Sequence, residues 1–271
     1  RDGDRQPVAQ APTRRRMNGP VLPAATAQWV HLVFEWLALA GGVQLYRWQR
    51  RRARQPALLQ PGSFAVVVGC ILGAAIGNKL VFWIEMPHLW QGIVPDWRLV
   101  ASGQSIVGGL LGGLLGVEIA KKLTGIRRST GDQFILPLVA GTVVGRIGCF
   151  LAGLNDGTYG VPTALPWGVD FGDGIPRHPT QVYDMLFALV AGCLLWRWRG
   201  ALARSPGLAF KLYLSSYLGW RLLVDGIKPV PYAYAFGLSG IQWVCVLALA
   251  CYLPFVLAQL AGAGLSRKET V

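Results

Sequence analysis

From Gln133 to Ala152 the chain runs twenty residues with one charged side chain, Arg146, in its later half. That length suits a membrane-crossing helix. A guanidinium that keeps its proton there needs an anionic partner, a polar cavity or a route to the interface. An arginine in this setting marks a functional site. Just beyond it, a loop dense in Gly, Pro, Asp and aromatic residues closes on Arg177-His178-Pro179, placed to cover such a site.

The run is one of seven apolar blocks, over 28–46, 63–85, 103–119, 133–152, 181–196, 206–227 and 240–262. The chain is 53% hydrophobic and 14% charged, with a mean hydropathy of +0.41. These blocks are long and do not alternate in polarity, which fits helices rather than barrel strands. The expected architecture is all-α: a polytopic membrane bundle of seven transmembrane helices over 28–262, with an extracytoplasmic loop or head at 153–180. Basic, unstructured tails are expected at 1–27, and a short cytoplasmic tail at 263–271.

The net charge of +13 does not imply nucleic acid. Its cations cluster after alternate spans: Arg47 to Arg54, Lys121 to Arg128, Arg197 to Arg204, then Arg267 and Lys268. The intervening loops carry only Arg98, Arg177 and Lys228. Basic short loops face the cytoplasm, so the N-terminus is expected outside and the C-terminus inside. The arginines of residues 1–16 oppose that orientation, whereas a start at Met17 leaves no Lys or Arg before Arg47. No apolar core of a secretory signal follows them.

Several motifs have a structural reading. Gly108, Gly112 and Gly116 repeat every fourth residue, a spacing that lets helices approach closely in lipid. The phosphate-loop pattern needs a Lys-Ser/Thr that is absent. The five cysteines, Cys70, Cys149, Cys193, Cys245 and Cys251, form no CxxC pair, so neither a disulfide framework nor a zinc site is expected. His31 and Glu35 share a helix face as a proton relay or a self-satisfied pair.

Topology then gives depth. Spans two, four and six run outward and carry Lys79, Arg146 and Arg221 in their later parts. Spans one, five and seven run inward and bring His31, Glu35, Asp184 and Gln242 to the same level. Cations from three helices at one depth repel unless carboxylates or a bound anion neutralise them. An anionic lipid headgroup entering from the outer leaflet is the natural occupant, its phosphate matching the arginine forks. Asp225, one turn after Arg221, is the alternative partner for that arginine.

The residues resemble the prolipoprotein diacylglyceryl transferases of bacterial inner membranes over about residues 70–245. The similarity is strongest at Gly145-Arg146-Ile147-Gly148-Cys149-Phe150 and at Arg177-His178-Pro179-Thr180-Gln181-Val182-Tyr183-Asp184. It is weaker at Ser105 to Gly112, Trp220 to Asp225, and Gln242. The resemblance implies transfer of the diacylglyceryl group of phosphatidylglycerol to the lipobox cysteine of a prolipoprotein, with release of glycerol 1-phosphate. It implies no cofactor and no metal. The family's two essential arginines fall on Arg146 and Arg221, and the expected base is His178, which has the motif context, or His31. Substrate contacts are expected from Lys79, Gly108, Gly109, Arg177, Gln181, Tyr183, Asp225 and Gln242. The chain departs from the pattern at Val107, where the family has histidine, and through Cys149 to Leu154. Lys79 stands for arginine and Asp225 for glutamate. These departures leave open a paralogue with another acceptor, or a non-catalytic lipid-binding or transport protein on the same scaffold.

Overall fold

A computed structural model describes residues 17–55, 60–91 and 103–268. Residues 1–16 of the expected tail, and 269–271 at the other end, lie outside the described residues. Seven helices of at least 18 residues are present among the described residues: α1 (Ala24–Arg52), α2 (Pro61–Glu85), α3 (Ile106–Thr124), α4 (Ile135–Ala152), α5 (Thr180–Arg197), α6 (Leu208–Asp225) and α7 (Gly240–Lys268). Three segments, Gly62–Glu85, Gly131–Asp156 and Gly240–Gly262, are long and apolar enough to cross a membrane. Large apolar side chains such as Ile71, Ile76, Leu115, Leu186 and Leu257 are exposed on the bundle's exterior. Water disfavours such a surface and hydrocarbon does not. The chain is an all-α membrane protein.

Glycine decides how α2 meets α3. A Cβ added at Gly73 would lie 2.2 Å from the Gly112 carbonyl oxygen, and one at Gly112 would lie 2.2 Å from that of Gly73. Gly69 with Gly116 and Gly77 with Gly108 repeat this reciprocity. The two backbones therefore touch along a stripe, gaining dispersion contacts where lipid supplies no hydrophobic drive between helices.

The other helices are fixed by polar ties at their ends. A 3-10 turn, Gly131–Phe134, leads into α4, and its Asp132 carboxylate accepts from Gly207 N (2.6 Å) and Phe210 N (2.9 Å). That carboxylate caps the start of α6 from another segment. At the start of α7, Ser239 and Gln242 exchange hydrogen bonds: Gln242 N donates to Ser239 Oγ and Ser239 N to Gln242 Oε1. This is a capping box. Beneath these ends, Val107, Leu214, Tyr217, Leu218 and Cys245 form a buried cluster joining α3, α6 and α7.

Two boundaries differ from the apolar blocks. Helix α1 continues to Arg52, because arginines in a last turn suit the negative end of the helix dipole. Helix α7 runs through Pro254 as far as Lys268. Part of the expected tail is also structured. Met17–Asn18 (β1) pairs in parallel with Val169–Asp170 (β2), which pairs antiparallel with Pro176–Arg177 (β3). Phe171 is buried beneath this small sheet against Phe150 and Tyr159. The loop after α4 is thus pinned over the end of the bundle.

Candidate functional site

Five charged side chains meet where α4, α5 and α6 converge. Arg146 of α4 places Nη2 2.8 Å from Asp184 Oδ2 on α5. On α6, Arg221 Nη2 lies 2.6 Å from Asp225 Oδ1, one turn away. Arg221 Nη1 and Lys228 Nζ approach Asp184 Oδ2 at 3.8 and 3.7 Å, and Lys228 is 3.9 Å from Asp225. The indole of Trp220 donates to Asp184 Oδ1 at 2.8 Å. Asp184 is the hub: one carboxylate facing three cations. Lys228 follows the end of α6; burial, with Arg221 and Arg146 adding repulsion, pushes its ammonium down to about 7.

A cavity of about 220 Å³ opens beside this cluster, lined by Arg146, Arg221, Lys228, Glu85, Asp225 and Val107, among others. With Lys228 protonated, its ammonium and the two guanidinium groups share this space with the carboxylates of Asp184, Asp225 and Glu85. The Nε atoms of Arg146 and Arg221 are buried and have no hydrogen-bond partner among the described residues. Gln104, Ser105 and Ile106 line both this cavity and a second groove of about 770 Å³. The groove walls are largely apolar, with Gly109, Leu110 and Leu114 from α3, Phe134 and Leu138 from the 3-10 turn and α4, Phe210 from α6, and Tyr252 and Phe255 from α7. A polar chamber therefore continues into an apolar trench.

One turn along α4 from Arg146, Cys149 starts a second group. Arg146 Nη1 lies 3.8 Å from Cys149 Sγ. His31 of α1 and Asp156, just past α4, bring their ligating atoms within 4.8 Å of that sulfur and of one another. His31 Nδ1 is 2.8 Å from Asp156 Oδ1, and its Nε2 is 4.0 Å from Glu35. The Thr158 hydroxyl donates to Asp156 Oδ2.

The structure divides the residues singled out from the sequence. Arg146, Arg221 and Asp225 come together at the cavity, and Gly109 lies on the groove wall. Lys79, expected at the same depth as the arginines, instead donates to the Gly103 carbonyl oxygen at 2.7 Å and does not line the cavity. Gly108 is closed into the α2–α3 contact, too tight for substrate. Gln242 serves the capping box, and its Nε2 donates to the Leu222 carbonyl oxygen, so its amide is committed to structure. Arg177 pairs with Asp173 at 2.6 Å in the head. His178 Nδ1 is 3.2 Å from the Tyr183 hydroxyl, which also accepts from Trp167 Nε1 at 2.7 Å. None of these three lines the cavity, so His178, one of the two expected bases, is a loop anchor by its contacts. Gln181 is fully buried, and its amide has no hydrogen-bond partner among the described residues.

Asp184 was brought to the site's level by depth but given no role there, His31 entered only as an alternative base, and Lys228, Cys149 and Asp156 were not placed at a site at all. For Lys228 a signal existed, since Arg221, Asp225 and Lys228 follow the i, i+4, i+7 spacing of one helix face. The grouping of His31 with Cys149 and Asp156 joins segments more than a hundred residues apart and has no sequence spacing to betray it.

The family model described as prolipoprotein diacylglyceryl transferase matches residues 29–258. Proteins named phosphatidylglycerol--prolipoprotein diacylglyceryl transferase are similar along most of the chain. The one from Bordetella parapertussis is 33% identical over 218 residues, covering 74% of this chain and 74% of its own length. That from Polynucleobacter necessarius is 35% identical over 199 residues, covering 68% and 70%. That from Cupriavidus metallidurans is 29% identical over 260 residues, covering 78% and 90%. The match runs from α1 into α7 and takes in both charged groups, so the chain belongs to the prolipoprotein diacylglyceryl transferase family of membrane enzymes.

Proposed function

We propose that the chain transfers the diacylglyceryl group of phosphatidylglycerol to the lipobox cysteine thiol of a prolipoprotein, releasing glycerol 1-phosphate. One observation carries this reading: a polar chamber presenting two guanidinium groups and continuing into an apolar trench matches a phospholipid, charged at one end and greasy at the other. The phosphate sits against Arg146, Arg221 and Lys228, where the two unpartnered Nε–H groups gain acceptors. The acyl chains lie along Gly109, Leu114 and Phe210.

As the acceptor sulfur bonds to the glyceryl carbon, the bond from that carbon to the phosphate oxygen breaks. Charge grows on the departing phosphate, and fixed guanidinium groups in a water-poor chamber stabilise it. Seven crossings, an external N-terminus and a cytoplasmic C-terminus in a bacterial inner membrane fit the basic loops after alternate helices. In this orientation the cavity and the pinned loop face the outer side, where exported precursors arrive. The head, with Arg177, His178 and Tyr183, then covers the site rather than performing the chemistry. The test is release of glycerol phosphate from phosphatidylglycerol by purified protein given a lipobox peptide. Release that depends on the peptide is expected; no release with both phosphatidylglycerol and the peptide present contradicts the reading.

A further inference from the structure

We propose that Glu85 reads the headgroup of the donor lipid, its carboxylate accepting from the hydroxyls of the headgroup glycerol while the guanidinium groups hold the phosphate. The inference rests on the transferase reading and names the residue that sets its choice of headgroup.

Glu85 is the chamber residue that phosphate binding leaves unexplained. The other carboxylates there have cationic partners: Asp184 lies 2.8 Å from Arg146, and Asp225 lies 2.6 Å from Arg221. Glu85 lines the same chamber yet pairs with no cation among the described residues. A carboxylate beside a phosphate opposes it unless a donor lies between the two. With phosphatidylglycerol in the chamber, those donors are the hydroxyls of the glycerol beyond the phosphate.

Glu85 ends α2, and two other segments fix its place. Its Oε2 accepts from Ile241 N at 2.8 Å, in the first turn of α7. A Cβ on Gly240 would come within 2.9 Å of the Ile84 carbonyl oxygen, so α7 starts in direct contact with the end of α2. The Tyr234 hydroxyl donates to that same carbonyl oxygen and ties down the segment between α6 and α7. Pro229 to Pro231 of that segment are chamber wall, and the two prolines have no N–H to offer the carboxylate. One bond to Ile241 leaves most of its acceptor capacity free. The chamber volume of about 220 Å³ is several times the roughly 30 Å³ share of one water, room for a glycerol beside a phosphate.

Other uses of Glu85 fit less well. As a counter-charge for Arg221 it is superseded by Asp225, which already holds that guanidinium. A cap for α7 needs only an acceptor, which an amide supplies, so capping does not account for a charge in the chamber. In the reaction Glu85 neither gives nor takes a proton. It holds the glycerol of the departing glycerol 1-phosphate while the bond on the far side of the phosphate breaks.

The experiment uses the full chain in detergent and measures binding of phosphatidylglycerol and phosphatidylmethanol. The two lipids carry equal charge, and the second has no headgroup hydroxyl. Wild type should prefer phosphatidylglycerol by about 10–100-fold, the range for hydrogen bonds to a charged group. In Glu85→Gln the amide oxygen keeps the Ile241 N–H and the amide nitrogen turns to the chamber, where it accepts nothing. The preference should collapse through loss of phosphatidylglycerol affinity, with an unchanged thermal midpoint. Glu85→Asp, which keeps the charge one methylene back, should retain part of it. Equal wild-type affinity for the two lipids, or an undiminished preference in Glu85→Gln, overturns the proposal. So does equal weakening of both lipids in that variant, which marks Glu85 as a cap only. Tighter wild-type binding of phosphatidylethanolamine than of phosphatidylglycerol overturns it too, since the carboxylate then pairs with an ammonium. Glycerol phosphate release with a lipobox peptide is followed in parallel. A Glu85-dependent preference without release supports headgroup recognition and contradicts the transferase reading; release without the preference does the reverse.

Discussion

Asp184 of α5 lies 2.8 Å from the Arg146 guanidinium of α4, and the same carboxylate oxygen faces Arg221 and Lys228 at 3.8 and 3.7 Å. One buried anion thus holds together cations from two helices and the segment after the second. Removing it would leave Arg146 without its carboxylate and Arg221 and Lys228 with Asp225 alone of the pair. Asp184→Asn is expected to lower stability by about 3–5 kcal/mol, the usual cost of orphaning a buried ion pair. Thermal unfolding in detergent checks this, and a wild-type midpoint for the variant contradicts the hub role.

Lys228 gives the site a pH dependence. Its lowered value means it is a cation below about 7 and neutral above. The groups facing it are Arg221 and Arg146, which oppose the charge, and Asp184 and Asp225, which favour it. Affinity for phosphatidylglycerol should therefore fall several-fold as pH rises from about 6 to about 8, where an unperturbed lysine stays charged. Lys228→Arg keeps its proton throughout and should flatten the curve. Identical pH curves for wild type and variant would contradict the assignment.

The α2–α3 seam tolerates no side chain. Gly112→Val places its Cβ against the Gly73 carbonyl oxygen, at 2.2 Å before any shift. Loss of folded yield is expected, whereas Gly109→Ala, whose Cβ meets nothing closer than 3.9 Å, should fold normally. Equal yields from the two variants would show that the helices do not touch there.

Gln242 separates a capping role from a substrate role. Gln242→Ala removes the reciprocal bond to Ser239 and the tie to Leu222. It should cost about 1–2 kcal/mol of stability, while the KM for phosphatidylglycerol stays near wild type. A raised KM with unchanged stability would return Gln242 to the substrate site.

The sequence carries local information well and distant pairing poorly, and the residues show why. Each apolar block corresponds to a long helix, since block length and polarity are properties of a single segment. The glycine spacing in α3 and the unusual setting of Arg146 and Arg221 are equally local. Ser239-x-x-Gln242 also carries the capping-box signature, yet depth and the family resemblance drew Gln242 towards the substrate. Asp184 stands directly after the Arg177-to-Tyr183 motif, but its meeting with Arg146 depends on how α4 packs on α5. His31, Cys149 and Asp156 converge only because α1 lies against α4 and the loop after α4 is pinned back by β1 and β2. Lys79 is the converse case: at equal depth its ammonium turns to the Gly103 carbonyl oxygen and does not line the cavity.

The claim that the guanidinium groups of the chamber grip a lipid phosphate is tested most directly by turnover of phosphatidylglycerol in Arg146→Gln. Asp184 still faces Arg221 and Lys228 in this variant, while the charge and the planar fork of Arg146 are lost. Release of glycerol phosphate with a lipobox peptide should fall below detection in Arg146→Gln, and likewise in Arg221→Gln. Arg146→Lys or Arg221→Lys should retain part of it. Folded yield is measured beside each rate. Wild-type turnover from Arg146→Gln would contradict the phosphate site.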